Sequence, residues 1–178
     1  MKNIEVEIST FVSAPEWKRL RRFFRKSAKF LGAHRDHTTY FDKGGRLRIR
    51  VEPKTAYLVC KSGAVHELAR EEIEIPFSKR KVTSLGRLLT KLGFPIVVRW
   101  FRRREKYIWR GITVTLDDSK GYGKIFELEK MVRPRDKGGV HQGLLNKFRS
   151  LGIQPMSHKE MDRRYRSYLK NWKRLIST

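Results

Sequence analysis

The chain has 178 residues, 39% hydrophobic and 11% aromatic, enough for one folded domain and too apolar for a chain disordered throughout. Lys and Arg number 42 against 18 Asp and Glu, a formal net charge of +24, which favours anionic partners such as polyphosphate, RNA, an acidic membrane surface or an acidic protein. The single cysteine, Cys60, excludes an internal disulfide and a thiolate metal cage. No apolar run approaches the roughly 20 residues of a membrane helix. The opening MKNIEVEIST carries glutamates where a secretion signal is apolar, so a cytoplasmic chain without a membrane span is expected.

The first strand is expected over Ile4–Phe11, with Ile4, Val6 and Ile8 on one face and Glu5, Glu7 and Ser9 on the other. Ser13-Ala14-Pro15-Glu16 reads as a capping box opening a helix that runs to about Leu31 and stops at Gly32. Trp17, Leu20, Phe23, Phe24, Ala28 and Leu31 form its apolar stripe. Short β segments follow at His34–Asp42, Arg46–Glu52, Tyr57–Lys61 and His66–Phe77, with hairpin signals at Lys43-Gly44-Gly45 and Lys61-Ser62-Gly63-Ala64. Cys60 reads as a small buried strand residue. Ser78 caps a helix reaching Leu92, ended by Gly93 and Pro95. Strands resume at Ile96–Arg110, Ile112–Asp117 and Lys124–Val132, with turns at Gly111 and Gly121-Tyr122-Gly123. The tail is helical from about Val140 to Leu151, and again after a second capping box, Ser157-His158-Lys159-Glu160.

About eight strands joined by tight turns are expected to be antiparallel and to remove their edges by closing into a barrel. Period-two alternation places charge on one face and apolar residues on the other. Glu5 and Glu7, Arg48 and Arg50, Glu72 and Glu74 with Arg70, Arg102 and Arg104, Asp117, and Glu127 and Glu129 share the charged parity. Amphipathic helices are available to cover the apolar face, so the charges are expected inside. Buried charges must be paired, hydrated or ligand-bound. Arginine forks suit phosphate oxygens. Clustered carboxylates suit hard cations such as Mg²⁺ or Mn²⁺. A polyphosphate chain bridged by such metals would satisfy both.

Several motifs, in order along the chain, resemble the CYTH superfamily, also called the triphosphate tunnel metalloenzymes. They are Glu5-Val6-Glu7-Ile8-Ser9, Tyr40-Phe41-Asp42 with Leu47-Arg48-Ile49-Arg50, and Tyr57-Leu58-Val59-Cys60-Lys61. Arg70-Glu71-Glu72-Ile73-Glu74, Arg102-Arg103-Arg104-Glu105-Lys106-Tyr107 and Val114-Thr115-Leu116-Asp117 follow. Gly121-Tyr122-Gly123, Phe126-Glu127-Leu128-Glu129 and a tail match at Ser167-Tyr168-Leu169 complete the set. The resemblance implies one α+β domain spanning 1–178, a closed antiparallel barrel over about 4–132 with helices outside, the last of them over about 136–176. It implies metal on Glu5, Glu7, Glu127 and Glu129. It implies catalytic duty for Glu5, Glu7, Glu72, Glu74 and Asp117, and triphosphate binding by Arg48, Arg50, Lys61, Arg70, Arg102 and Arg104. Mg²⁺ or Mn²⁺ would be the cofactor.

Ser9 departs from the family pattern, which has a lysine there implicated in catalysis; Thr38 is a lesser departure. Three functions follow: a metal-dependent triphosphatase acting on tripolyphosphate or a nucleoside or organic triphosphate, an adenylate cyclase, or a non-catalytic binder of polyphosphate or RNA 5′-triphosphate ends. The excess positive charge falls on the first helix (Lys18, Arg19, Arg21, Arg22, Arg25, Lys26, Lys29) and the tail (Arg163, Arg164, Arg166, Lys170, Lys173, Arg174). It reads either as a solvated basic face or as a dock for RNA or long polyphosphate. A monomer and a homodimer are both compatible with the sequence.

Overall fold

The computed structural model describes residues 4–42, 47–61, 69–70 and 72–177. The hairpin signals at 43–45 and 62–64 lie outside the described residues, as do the Arg70 and Glu71 side chains. Nine strands are described: β1 (Ile4–Val12), β2 (Lys29–Tyr40), β3 (Leu47–Val51), β4 (Ala56–Lys61), β5 (Ala69–Arg70), β6 (Glu72–Phe77), β7 (Val98–Trp109), β8 (Ile112–Ser119) and β9 (Gly123–Val132). Four helices join them: α1 (Ala14–Ser27), α2 (Val82–Lys91), α3 (Lys137–Ser150) and α4 (His158–Ser177).

The strands form one antiparallel sheet in the order β5-β1-β9-β8-β7-β2-β3-β4-β6. β5 pairs with β1 at one edge, and β6 pairs with β4 at the other. Only Glu71 separates β5 from β6 in sequence. The segment 69–77 therefore occupies both edges, and the sheet curls into a tunnel.

The apolar faces point outward, as the alternation predicts. Val6, Ile8, Tyr107, Trp109, Val114, Leu116, Phe126 and Leu128 pack under Leu20 and Phe24 of α1 and Leu144 and Phe148 of α3. A second cluster joins Phe41, Ile49, Val51 and Ala56 to Leu89 of α2.

The capping box of α1 forms in both directions: Glu16 N donates to Ser13 Oγ at 3.3 Å, and Ser13 N to Glu16 Oε2 at 2.7 Å. The helix ends at Ser27, earlier than the expected Leu31. Ala28 is already extended, and Lys29 and Phe30 pair with Ile108 and Tyr107 as the start of β2. Leu31, assigned to the helix stripe from sequence, is 51% exposed. Ser78 caps a short 3₁₀ turn, Lys79–Lys81, which leads into α2. The β7–β8 hairpin turns on Arg110 (φ 52°) and Gly111 (φ 72°), the left-handed pair that a two-residue hairpin favours.

α4 crosses one end of the tunnel. Gly121 in the β8–β9 turn is fixed by this docking, because a Cβ there would stand 2.6 Å from Leu175 Cβ. Tyr168 Oη donates to the Arg99 carbonyl at 3.0 Å. Trp100 and Tyr122 pack against Tyr168, and Arg164 lies over the Phe11 ring. Cys60 is exposed, contrary to the buried position expected for it: Lys61 takes the inward parity, which turns Cys60 out beside Ile73 on an uncovered part of the sheet.

Candidate active site

Opposite strand faces determine what the tunnel presents. On β1 the inward residues are Glu5, Glu7 and Ser9; on β9 they are Glu127 and Glu129. Register brings Glu7 opposite Glu129 and Ser9 opposite Glu127, so four glutamates from two neighbouring strands share one wall. Like charges directly across a strand pair repel. Burial raises both β9 carboxyls. Glu7 adds to the rise at Glu127, and Glu127 and Glu5 add to it at Glu129, which pushes them up to about 8 and about 7.

The facing walls carry cations, and those predicted from sequence with described side chains are each held by a carboxylate. Arg48 Nη2 lies 3.2 Å from Glu72 Oε1, and Arg50 Nη2 lies 2.6 Å from Glu74 Oε1. Lys61 Nζ, itself buried, contacts Glu72 at 2.5 Å and reaches Glu5 Oε2 at 3.1 Å. On β7, Arg104 forms a two-pronged pair with Asp117 at 2.8 and 2.6 Å. Burial opposes ionisation of Asp117, but Arg104 and Arg102 hold its carboxyl below the usual range. The backbone of Arg70 sits opposite Glu5 in the β1–β5 pair.

All the sequence-predicted residues with described side chains thus face one lumen. Two lumenal charges were missing from that set. Asp36, 5% exposed, accepts from Arg102 Nε at 2.7 Å. Lys106 follows Arg102 and Arg104 at the same parity, and its charge acts on Asp117 and Glu129. Period-two reading of β2 from Tyr40, and of β7 from Arg104, carries the signal for both. His34 faces Asp36 at 3.5 Å while His37 stacks on Phe101 outside, so the two histidines point to opposite faces.

The sequence matches the CYTH domain family over residues 3–160, most of the chain. The protein belongs to the CYTH domain family. A Methanocaldococcus jannaschii protein named "Putative adenylate cyclase" is 27% identical over 140 residues, covering 77% of each chain. The solved structure of the PH1819 protein from Pyrococcus horikoshii superposes with a TM-score of 0.72 at 26% identity, over 88% of this chain and 97% of that one. A Hippeastrum protein, described as a putative adenylyl cyclase that reveals a dominant triphosphatase activity, superposes with a TM-score of 0.60 at 20% identity, over 91% of this chain and 95% of that one.

Within this CYTH domain, the donor chemistry of the β1–β9 wall fits a hard divalent cation: carboxylate oxygens, mutually repelling, with raised proton affinity. Among the described residues, no three His, Cys, Asp or Glu side chains already converge into a metal cage.

The basic exterior is partly structural. Glu105, fully buried on the outward face of β7, accepts from Arg21 Nε at 2.9 Å and from Tyr107 Oη at 2.5 Å, with Arg25 alongside at 3.4 Å. Arg19 donates to the Leu151 carbonyl at 2.7 Å. These arginines of α1 clamp the helix to the sheet and to the end of α3 while keeping part of each side chain exposed. No helix among the described residues is long and apolar enough to cross a membrane.

Proposed function

We propose that the protein is a divalent-metal-dependent triphosphatase that hydrolyses inorganic tripolyphosphate or a nucleoside or organic triphosphate inside the tunnel. One observation carries the reading: one lumen holds a wall of crowded glutamates (Glu5, Glu7, Glu127, Glu129) and, on the other strands, five inward cations (Arg48, Arg50, Lys61, Arg102, Arg104). A phosphate chain with bound metal is complementary to both.

In this reading Arg48, Arg50, Lys61, Arg102 and Arg104, with Arg70, bind the triphosphate oxygens, exchanging carboxylate partners for phosphate. Glu5, Glu7, Glu127 and Glu129 hold Mg²⁺ or Mn²⁺. When bound, the metal neutralises phosphate oxygens and lowers the pKa of water. Glu72, Glu74 and Asp117 orient the cations and the attacking water. Phosphoryl transfer asks chiefly for such positioning and charge stabilisation. Phosphate release from tripolyphosphate and ATP in Mg²⁺ or Mn²⁺ tests the proposal.

A second reading, a non-catalytic binder of polyphosphate or RNA 5′-triphosphate ends, is favoured by Ser9, which is neutral where the family resemblance calls for lysine. Tight tripolyphosphate binding without phosphate release would select it. The names of the relatives raise adenylate cyclase activity as well, and cyclic AMP formation from ATP would select that.

A further inference from the structure

We infer that Lys106 supplies the lumenal cation that position 9 lacks, contacting the bound triphosphate from the opposite wall of the tunnel. The inference rests on the triphosphate reading above and assigns a catalytic residue within it.

Backbone register carries the argument. Ser9 pairs with Glu127, Glu127 with Thr115, and Thr115 with Lys106. The four residues form one row across β1, β9, β8 and β7, all directed into the lumen. Ser9 on β1 and Lys106 on β7 thus stand three strands apart on one register row, both at inward parity. Lys106 is therefore a lumenal cation on the same register row as the neutral Ser9.

Lys106 is also available. Arg48, Arg50, Lys61, Arg102 and Arg104 each lie in an ion pair. Among the described residues, Lys106 is in none, although it is half-buried in the lumen. Its partner across β2 is Gly32, where a Cβ would meet nothing within 4 Å, so open space lies beside it. Its charge is felt by Asp117 one row above and by Glu129 one row below.

An ammonium turned into the lumen without a carboxylate partner is free to pair with a ligand anion. Attack of water forms a new P–O bond as the bridging P–O bond breaks; the water's proton passes to a lumenal carboxylate, and negative charge grows on the departing phosphate oxygen. A hydrogen bond from Lys106 Nζ to that oxygen, or to a non-bridging oxygen of the transferred group, stabilises the charge where a lysine at 9 would otherwise do so.

The test compares phosphate release from tripolyphosphate in Mg²⁺ by wild type, Lys106→Gln, Lys106→Met, Ser9→Lys, and Ser9→Lys combined with Lys106→Met, all checked for folding by melting. Loss of one such donor lowers kcat by about 100-fold or more. The expected result is that loss in both Lys106 single variants, with KM moved far less, and recovery of about tenfold or more when Ser9→Lys is added. A purely structural lysine would not be rescued from another strand. Lys106 variants that keep wild-type kcat, or a double variant that binds tripolyphosphate normally yet recovers nothing, would overturn the inference. If wild type releases no phosphate, the hydrolase reading fails separately. Calorimetry with tripolyphosphate then decides the role of Lys106: affinity about tenfold weaker in Lys106→Gln supports the contact, and unchanged affinity removes it.

Discussion

Lys61 on β4 and Glu5 on β1 join strands near the two ends of the sheet order, with Nζ 3.1 Å from Oε2. Their contact spans the seam that the segment 69–77 closes in the backbone. Lys61 also holds Glu72, so one ammonium is shared by two carboxylates. A bound phosphate chain would compete for it. Lys61→Met is expected to weaken tripolyphosphate binding by about tenfold or more, since charge-assisted hydrogen bonds contribute roughly 1.5–3 kcal/mol. Calorimetry checks this; unchanged affinity would restrict Lys61 to bracing the seam.

The β1–β9 glutamates give the protein a distinctive pH dependence. Glu127 and Glu129 keep their protons to about pH 8 and about pH 7 in the folded chain, against an ordinary value of 4.5. Between those limits the folded state binds more protons than the unfolded one, so stability contributed by these groups falls as pH rises through the window. Glu127→Gln should flatten the fall, seen as a smaller drop in Tm between pH 5 and pH 8 without metal. Mg²⁺ or Mn²⁺ must displace the same protons, so metal affinity should rise with pH across the window and proton release should accompany binding. A metal affinity indifferent to pH would separate these glutamates from the metal.

Glu105 offers the opposite contrast, a buried carboxylate outside the tunnel. Burial alone would raise its pKa, but Tyr107 and Arg21 hold it low through hydrogen bonds. Glu105→Ala should cost about 2–3 kcal/mol in chemical denaturation, because Tyr107 and the arginines lose their shared acceptor. Catalysis by the folded fraction should be unaffected. A large change in kcat without loss of stability would place Glu105 in the reaction instead.

The remaining basic exterior makes a separate prediction about RNA. Arg22 and Lys26 on α1, and Lys170 and Lys173 on α4, have no described ion pair with a carboxylate. If this surface docks RNA, affinity should fall steeply with salt through counterion release. Replacing these four residues by Gln should reduce the salt slope and leave tripolyphosphate binding intact. No RNA binding at low salt would leave the charge a solvated face.

Much of this arrangement was legible from parity alone. Alternation along Glu5–Ser9, Leu47–Val51 and Phe126–Glu129 placed charges inside and apolar residues outside, because a sheet face repeats every two residues whatever the tertiary contacts. What escaped had non-local causes. The early end of α1 follows from pairing of Lys29 and Phe30 with β7, some 80 residues away, which overrides a continuous helical stripe. The clamp of Arg21 on Glu105 spans 84 residues, and nothing local distinguishes Arg21 from its basic neighbours. Asp36 and Lys106 were readable by parity, but Asp36 stands alone on its strand and Lys106 comes after the basic pair that the motif marks, and the observed register connects both to the site.

The most direct test of the tunnel as a metal-dependent triphosphatase is phosphate release from tripolyphosphate and from ATP, with Mg²⁺ or Mn²⁺ and with chelator, by wild type and Glu7→Gln. The account predicts release by wild type that chelator abolishes, and loss of that release in Glu7→Gln with the fold intact. Full activity in Glu7→Gln, or wild-type activity that persists in chelator, would contradict it.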